Sequence, residues 1–82
     1  MFEDLKDLEN FVRSEEYKQT KKDILMFNAN LKMKRNFSDI LELKAQITEY
    51  FEGLKENNYR MYIVFSLNKK ILDDEINLKI NN

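Results

Sequence analysis

Apolar residues near the start of the chain recur every three or four positions, which is the spacing of one face of an α-helix. Leu5, Leu8 and Val12 form this stripe. The stripe then stops, because the next two positions that would continue it are a glutamate and a glutamine. The pattern therefore predicts a short first helix over residues 3–13.

A new apolar face begins after a serine. Ser14 is a favoured residue for a helix N-cap, and the two glutamates that follow it suit a first helical turn. We predict a second helix over residues 15–28, which ends at the Asn-Ala-Asn sequence because asparagine competes for backbone hydrogen bonds. The alternative is one continuous helix that bends at Ser14. The new face consists of Tyr17, Ile24, Phe27 and Leu31.

The clearest pattern lies in the middle of the chain, where apolar residues occupy a and d positions of a heptad. Asn36 is the one polar member of this stripe. The pattern predicts a third helix over residues 31–53. Gly53 and a pair of asparagines follow, which places a turn at 53–58. The stripe consists of Met33, Ile40, Leu43, Ile47, Tyr50 and Leu54, and it is widened by Phe37, Leu41 and Phe51.

The last segment begins with a run, "MYIVF", that alone has the composition of a buried strand. Helical spacing nevertheless continues through the whole segment, and no second strand-like run exists to pair with a strand. We therefore predict a fourth helix over residues 58–80. Its apolar positions are Met61, Val64, Phe65, Ile71, Leu72, Ile76 and Ile80.

Together these elements predict an all-α fold in a single domain, 1–82, with short N-terminal helices followed by a long antiparallel helical hairpin. A chain of this length buries a limited fraction of its surface, and Phe37, Leu41 and Phe51 are expected to flank the hairpin. We therefore expect two copies to pair as a homodimer into a helix bundle. The candidates for the core seam and the dimer contact are Ile40, Leu43, Ile47, Tyr50, Phe51, Leu54, Phe65, Leu72 and Ile76.

The composition excludes the side chains on which most catalytic sites depend. The 82 residues include no histidine and no cysteine, so the commonest general base, the commonest strong nucleophile and the usual zinc ligands are absent. Carboxylates are densest at Asp73, Asp74 and Glu75, but successive helical residues point around the axis, and this cluster is interpreted as a solvated face. We expect no catalytic site, no bound metal and no cofactor.

Basic residues concentrate in one part of the chain. Lys32, Lys34 and Arg35, with Lys21 and Lys22 upstream, could contact phosphates of a nucleic acid. A solvated helix surface explains the same residues, and a net charge of −1 provides no overall attraction to nucleic acid. Binding to RNA or DNA is therefore the alternative function.

Three tyrosines, Tyr50, Tyr59 and Tyr62, lie close to the predicted turn. Exposed aromatic side chains can anchor a protein partner. The alternative is that these rings close the end of the hairpin core.

Neither a membrane span nor a secretion signal is expected from the sequence. A transmembrane helix needs roughly 20 apolar residues, and the longest apolar run, at 61–65, is much shorter. The first ten residues are acidic and amphipathic, unlike a signal peptide. We expect a soluble cytoplasmic protein with no membrane association.

Three stretches of the chain resemble the YlbF/YmcA/YheA family of small bacterial helical proteins. "LENFVRSEEYKQTKKDILMFNAN" is similar to the start of that family, with its short helix, its Ser-Glu-Glu-Tyr-Lys corner and its Asn-Ala-Asx sequence. "RNFSDILELKAQITEYFE" is similar to the first arm of the family's long hairpin, and "SLNKKILDDEINLKI" to its closing helix. The resemblance implies an all-α, dimeric, non-enzymatic adaptor. Better-known members of the family act in complexes that influence an mRNA-processing endoribonuclease, and through it competence and biofilm formation.

The chain departs from the family pattern in three respects. It is shorter than typical members, and the missing part falls at the hairpin tip around Gly53. Asn30 stands where the family tends to have aspartate. Some members carry cysteines linked to iron–sulfur binding, and this chain has none. The resemblance therefore implies an adaptor with a protein partner, but no particular pathway and no cluster.

Overall fold

A computed structural model describes residues 2–81 and contains four α-helices, with no strand among those residues. The helices are α1 (Leu5–Arg13), α2 (Glu15–Met33), α3 (Phe37–Asn57) and α4 (Tyr59–Asn81). The all-α prediction is confirmed. The strand-like run at 61–65 lies inside α4, where its apolar residues share the helical spacing of the rest of that helix.

Ser14 separates α1 from α2 by capping both. Its hydroxyl accepts a hydrogen bond from the backbone N–H of Tyr17 at 3.1 Å and donates one to the carbonyl of Phe11 at 2.7 Å. Its backbone is extended, with φ −66° and ψ 150°. The chain therefore forms two helices with a corner at Ser14, as predicted, and the continuous bent helix is wrong.

The predicted break at the Asn-Ala-Asn sequence is wrong, because α2 continues through it to Met33. Leu31 lies just beyond those asparagines and is 0% exposed. Burying a leucine contributes about 1.5–3 kcal/mol, whereas an interior asparagine costs at most about 0.7 kcal/mol relative to alanine. Asn36 instead caps α3, since its side-chain oxygen accepts from the N–H of Asp39 at 2.8 Å. Met33 therefore belongs to α2, where it is exposed, and not to the stripe of α3.

The turn between α3 and α4 is shorter than predicted. Helix α3 continues past Gly53 to Asn57, and Asn58 alone separates the two helices. The N–H of Asn58 donates to the carbonyl of Leu54 at 2.8 Å, and its side-chain oxygen accepts from the N–H of Met61 at 3.3 Å. Asn58 thus ends one helix and starts the next, which leaves Gly53 within the last turns of α3.

The buried core is shared by α2, α3 and α4, and the most extensive packing is between α3 and α4. Every predicted seam residue is either buried in this core or packed half-buried against it, the half-buried ones being Tyr50 and Leu54. The placement of Phe51 on an exposed flank is wrong, since its side chain is 0% exposed, whereas Phe37 and Leu41 are exposed. The core consists of Ile24, Leu31, Ile40, Leu43, Ile47, Phe51, Met61, Phe65, Leu72 and Ile76.

Contacts between distant residues fix which ends of the helices meet. The ammonium of Lys79, near the end of α4, donates to the carbonyl of Lys34, between α2 and α3, at 3.0 Å. The side-chain amide of Asn58 donates to the carboxylate of Glu16, at the start of α2, at 3.0 Å. The resulting molecule is elongated, with principal extents of 45 × 20 × 17 Å.

Helix α1 packs at one end of this bundle and contains no buried residue within Leu5–Arg13. The ring of Phe11 lies edge-on to Tyr17, with ring centroids 5.4 Å apart. The guanidinium of Arg60 forms an ion pair with Asp7, at 3.3 Å, and lies 4.8 Å from the ring centroid of Phe2. Aromatic and cation–π contacts therefore hold the N-terminal segment against the start of α4.

Candidate interaction surface

Large apolar side chains remain exposed on the outer face of α4. Ile63, Leu67, Ile71 and Leu78 are separated by four, four and seven residues, so they follow one side of the helix over four turns. Scattered exposed apolar residues are ordinary on a protein surface, but a contiguous stripe marks an interaction surface. This stripe is therefore the first candidate for a functional site.

The stripe borders a groove between α4 and α2. Leu25 and Ile71 face this groove from opposite helices, and both are exposed, whereas Ile24 and Leu72 form its buried floor. We name it the α2–α4 groove. Its lining residues are Ile24, Leu25, Asn28, Asn68, Ile71, Leu72 and Glu75.

The groove is too small for a cofactor-sized molecule. Its enclosed space is about 90 Å³, whereas ligand pockets usually measure about 300–1,000 Å³. Its apolar walls and pair of asparagines suit side chains of another macromolecule better than a small ligand.

Charged side chains stand at opposite ends of the groove. Lys21 lies one turn before Leu25 on α2, and Glu75 lies one turn after Ile71 on α4. Neither Lys21 nor Glu75 forms an ion pair with another residue of the described chain, 2–81. One end of the groove therefore carries an unneutralised cation and the other an unneutralised anion.

A second exposed apolar pair lies at the start of α3. Phe37 and Leu41 are one turn apart and both are exposed. The next positions on that side, Lys44, Ala45 and Thr48, do not extend it with large apolar residues. We call this pair the α3 edge, and it is a shorter surface than the stripe along α4.

The basic residues predicted to contact phosphate lie in different local environments. Lys34 lines a small pocket with the carboxylates of Asp39 and Glu42, and its side chain is half-buried. Lys32 is exposed in the last turn of α2, and Arg35 is exposed in the segment that precedes α3. Lys34 follows the end of α2 with an extended backbone, φ −75° and ψ 134°, so it does not continue the helical face that carries Lys32.

The tyrosines near the α3–α4 turn have different environments. Tyr50 points toward α2, where its hydroxyl donates a hydrogen bond to Asp23 at 2.8 Å. Burial, and to a smaller extent this hydrogen bond, raises the pKa of Tyr50 to about 12. Tyr59 is exposed, and its ring stacks on Tyr62 with the centroids 5.8 Å apart. The ammonium of Lys55 lies 5.9 Å from the ring centroid of Tyr62. Tyr50 thus belongs to the core, as the alternative interpretation proposed, whereas Tyr59 is accessible to a partner.

A wide cleft lies between the start of α2 and the end of α3. Glu15, Glu16 and Gln19 form its polar side, and Leu54 contributes apolar surface. Glu16 is already engaged by the side chain of Asn58. Within residues 2–81 there is also no group of three or more His, Cys, Asp or Glu side chains placed to hold a metal ion.

In comparisons with known proteins, no protein-family model, no curated protein and no solved structure matches the chain. None of the helices in the described part of the chain combines the length and the apolarity needed to cross a bilayer.

Proposed function

We propose that the protein is a non-enzymatic interaction module that acts as a homodimeric adaptor. The observation that carries this proposal is the exposed apolar stripe on α4, which continues across the α2–α4 groove to Leu25. Such a surface is stabilised when a second macromolecule covers it. The chain offers this surface on rigid helices, which suits recognition more than chemistry.

We further infer that α3 and α4 form an antiparallel helical hairpin. Only Asn58 separates α3 from α4, and the most extensive packing in the bundle is between these two helices, which supports a reversal of the chain at Asn58. The contact between Lys79 and the carbonyl of Lys34 supports this arrangement, because it brings the end of α4 beside the start of α3. The hairpin would present the outer face of α4 to a partner, while its inner face packs in the core.

The resemblance to the YlbF/YmcA/YheA family supports the same class of function. It suggests a cytoplasmic regulatory adaptor with a protein partner, and it connects the chain to RNA processing, competence or biofilm pathways by resemblance only. The corner at Ser14 is one shared motif that has a physical role here, because Ser14 caps both α1 and α2.

Binding to a nucleic acid remains the alternative and has weaker support. Phosphate contacts require cations that face one side. Lys34 lines a small pocket with two carboxylates, and Lys32 is not among the residues that line that pocket. A chain with a net charge of −1 provides little overall attraction for a polyanion.

Light scattering coupled to size exclusion tests the dimer directly. At micromolar concentration we expect about twice the 10.0 kDa mass of the chain. A stable monomer across that concentration range would contradict the homodimeric adaptor. In parallel, fluorescence anisotropy with labelled RNA and DNA should show no binding at physiological salt. Binding that weakens as salt is raised would instead support the nucleic-acid alternative.

A further inference from the structure

We propose that two copies of this chain pair groove to groove, with Leu25 and Ile71 of both copies at the centre and Lys21 of each copy paired with Glu75 of the other. This inference rests on the proposed homodimer and specifies its interface. It assigns a surface that includes α2, whereas the sequence pattern directs attention to the flanks of α3.

The two helices that border the groove run in the same direction. Tyr17 near the start of α2 packs against Phe65 in α4, with ring centroids 5.4 Å apart. Farther along, Leu25 and Ile71 meet across the groove, and Lys34, just after α2, meets Lys79. Helices α2 and α4 therefore run side by side in the same direction, with Leu25 and Ile71 at about the same level.

A twofold axis can bring the grooves of two copies face to face. Homodimers usually have twofold symmetry, in which the same surface of each copy faces the other. An axis that lies between the copies and runs across the helices at the level of Leu25 superposes groove on groove. Rotation about this axis reverses the direction of the helices. A residue one turn before the level of Leu25 in one copy therefore lies at the same level as a residue one turn after it in the other copy.

Charge complementarity follows from that operation. Glu75 lines the groove one turn after the central level. Lys21 lies one turn before that level, on the side of α2 that carries Leu25. The axis therefore places each lysine at the level of the other copy's glutamate, twice per dimer. Neither residue has an ion-pair partner within the described chain, so each is left to pair between copies.

The uncharged groove residues are also self-complementary. Leu25 and Ile71 of the two copies form one apolar cluster on the axis, which removes four exposed side chains from water. Asn28 and Asn68 both line the groove on either side of this level. The same operation brings each asparagine near the other type in the second copy, where carboxamides can both donate and accept.

The available surface matches the need of a stable dimer. A standard interface buries about 800 Å² of each partner, which is roughly an eighth of the 5978 Å² accessible surface of the chain. One side of a three-helix bundle supplies an area of this size. The α3 edge supplies only Phe37 and Leu41, which is too little apolar surface for the centre of such an interface.

A matched pair of substitutions tests the surface. Ile71→Lys changes a groove residue that is 47% exposed, and Leu41→Lys changes an α3-edge residue that is 41% exposed. Circular dichroism and thermal melting establish that each variant is folded. In analytical ultracentrifugation we expect Ile71→Lys to raise the dimer dissociation constant by at least about tenfold, and Leu41→Lys to leave it within about twofold. Leu67→Lys, on the same stripe and more exposed, replaces Ile71→Lys if that variant fails to fold.

Reversal of the two charges tests the symmetry. Lys21→Glu and Glu75→Lys should each weaken the dimer by about threefold to tenfold, because each creates two like-charge contacts. The double variant, Lys21→Glu with Glu75→Lys, should restore the dissociation constant to within about twofold of the unchanged protein. Rescue of this kind requires that the two residues meet.

The outcomes separate this inference from the proposed function. A dimer that is insensitive to Ile71→Lys and dissociated by Leu41→Lys would overturn the groove interface and retain the homodimer. Additive weakening in the double charge variant would overturn the twofold arrangement. An unchanged protein that is monomeric at micromolar concentration would overturn the homodimer itself, and the groove pairing with it.

Discussion

At the scale of single residues, Tyr50 shows how a polar group is placed against the core. Its ring packs edge-on against Phe27, with centroids 5.3 Å apart, and its hydroxyl donates to Asp23 at 2.8 Å. Burial is the main cause of its raised pKa, and the hydrogen bond to Asp23 adds to it. The phenol therefore stays protonated at physiological pH and remains a donor to α2.

Removal of the Tyr50 hydroxyl tests its hydrogen bond to Asp23. Tyr50→Phe should lower the free energy of unfolding by about 1–2 kcal/mol at neutral pH, because Asp23 loses a donor while half-buried. Urea unfolding measures this change. Tyr59→Phe is the matched control, since Tyr59 is exposed, and it should change stability by no more than about 0.5 kcal/mol. Equal losses in the two variants would contradict the assigned role.

The raised pKa of Tyr50 predicts that the stability of the protein depends on pH in the alkaline range. Folding raises the pKa of Tyr50 from 10.0 to about 12, so the folded protein holds a proton that the unfolded chain releases. This stabilisation is fully present below pH 10.0 and is lost as pH rises toward 12. The unchanged protein should therefore lose stability more steeply over this window than Tyr50→Phe. Parallel curves for the two proteins would show that Tyr50 titrates normally.

Gly53 is a residue whose conformation does not require glycine. It lies within α3, has no positive φ, and an added Cβ would meet nothing within 4 Å. Gly53→Ala should therefore stabilise the protein by about 0.5–1 kcal/mol, because alanine loses less backbone entropy in a helix. Thermal melting measures the gain, and the exposed Ala45→Gly in the same helix should produce a loss of similar size. A lower melting temperature for Gly53→Ala would instead indicate that the backbone or the packing around Gly53 requires glycine.

At the scale of helices, local signals predicted the boundaries that depend on local chemistry. The corner at Ser14 could be predicted because a serine cap acts within a few residues. The end of α2 could not, because it depends on burial of Leu31 against other helices. The end of α3 is also set by a local cap, in which the side chain of Asn58 accepts from the N–H of Met61. The sequence predicts only a turn within 53–58, because Gly53 and Asn57 are turn residues as favourable as Asn58.

The faces of α3 show why a heptad pattern located the core but misassigned a flank. The heptad assumes one partner helix, whereas α3 contacts both α4 and α2. Tyr50 and Phe51 are adjacent in sequence, yet Tyr50 reaches Asp23 of α2 and Phe51 is fully buried in the core. Two partners cover a wider stripe than one, so Phe51 is interior.

Helix α1 is the element that should open first. It contributes no fully buried residue, and its attachment depends on rings around Phe11 and on the ion pair between Arg60 and Asp7. Regions with few buried contacts open with low free energy. Phe11→Ala should therefore accelerate amide hydrogen exchange in α1 by at least about tenfold, while exchange in α3 stays unchanged. Val12→Ala, at an exposed position of α1, should have a smaller effect. Uniform acceleration across all helices would mean that α1 unfolds only with the whole protein.

At the scale of the whole molecule, the candidate surface arises from the position of α2 beside α4. Leu25 and Ile71 are far apart in sequence, and the fold brings them to one groove. The pairing of Lys21 with a second copy depends on the same arrangement. Periodicity along a single helix cannot reveal which two helices become neighbours, so this surface could not be predicted from the sequence.

A dimer that uses this surface makes stability depend on concentration. Pairing stabilises the folded state by mass action, and each tenfold increase in concentration contributes about 1.4 kcal/mol. For a dimer of two 82-residue chains, this should raise the melting temperature by about 4 °C per tenfold increase. Ile71→Lys should show a smaller rise in melting temperature per tenfold increase in concentration than the unchanged protein, whereas Leu41→Lys should show the same rise. A flat dependence in the unchanged protein would show that the folded chain needs no second copy, and an undiminished slope in Ile71→Lys would place the contact elsewhere on the molecule.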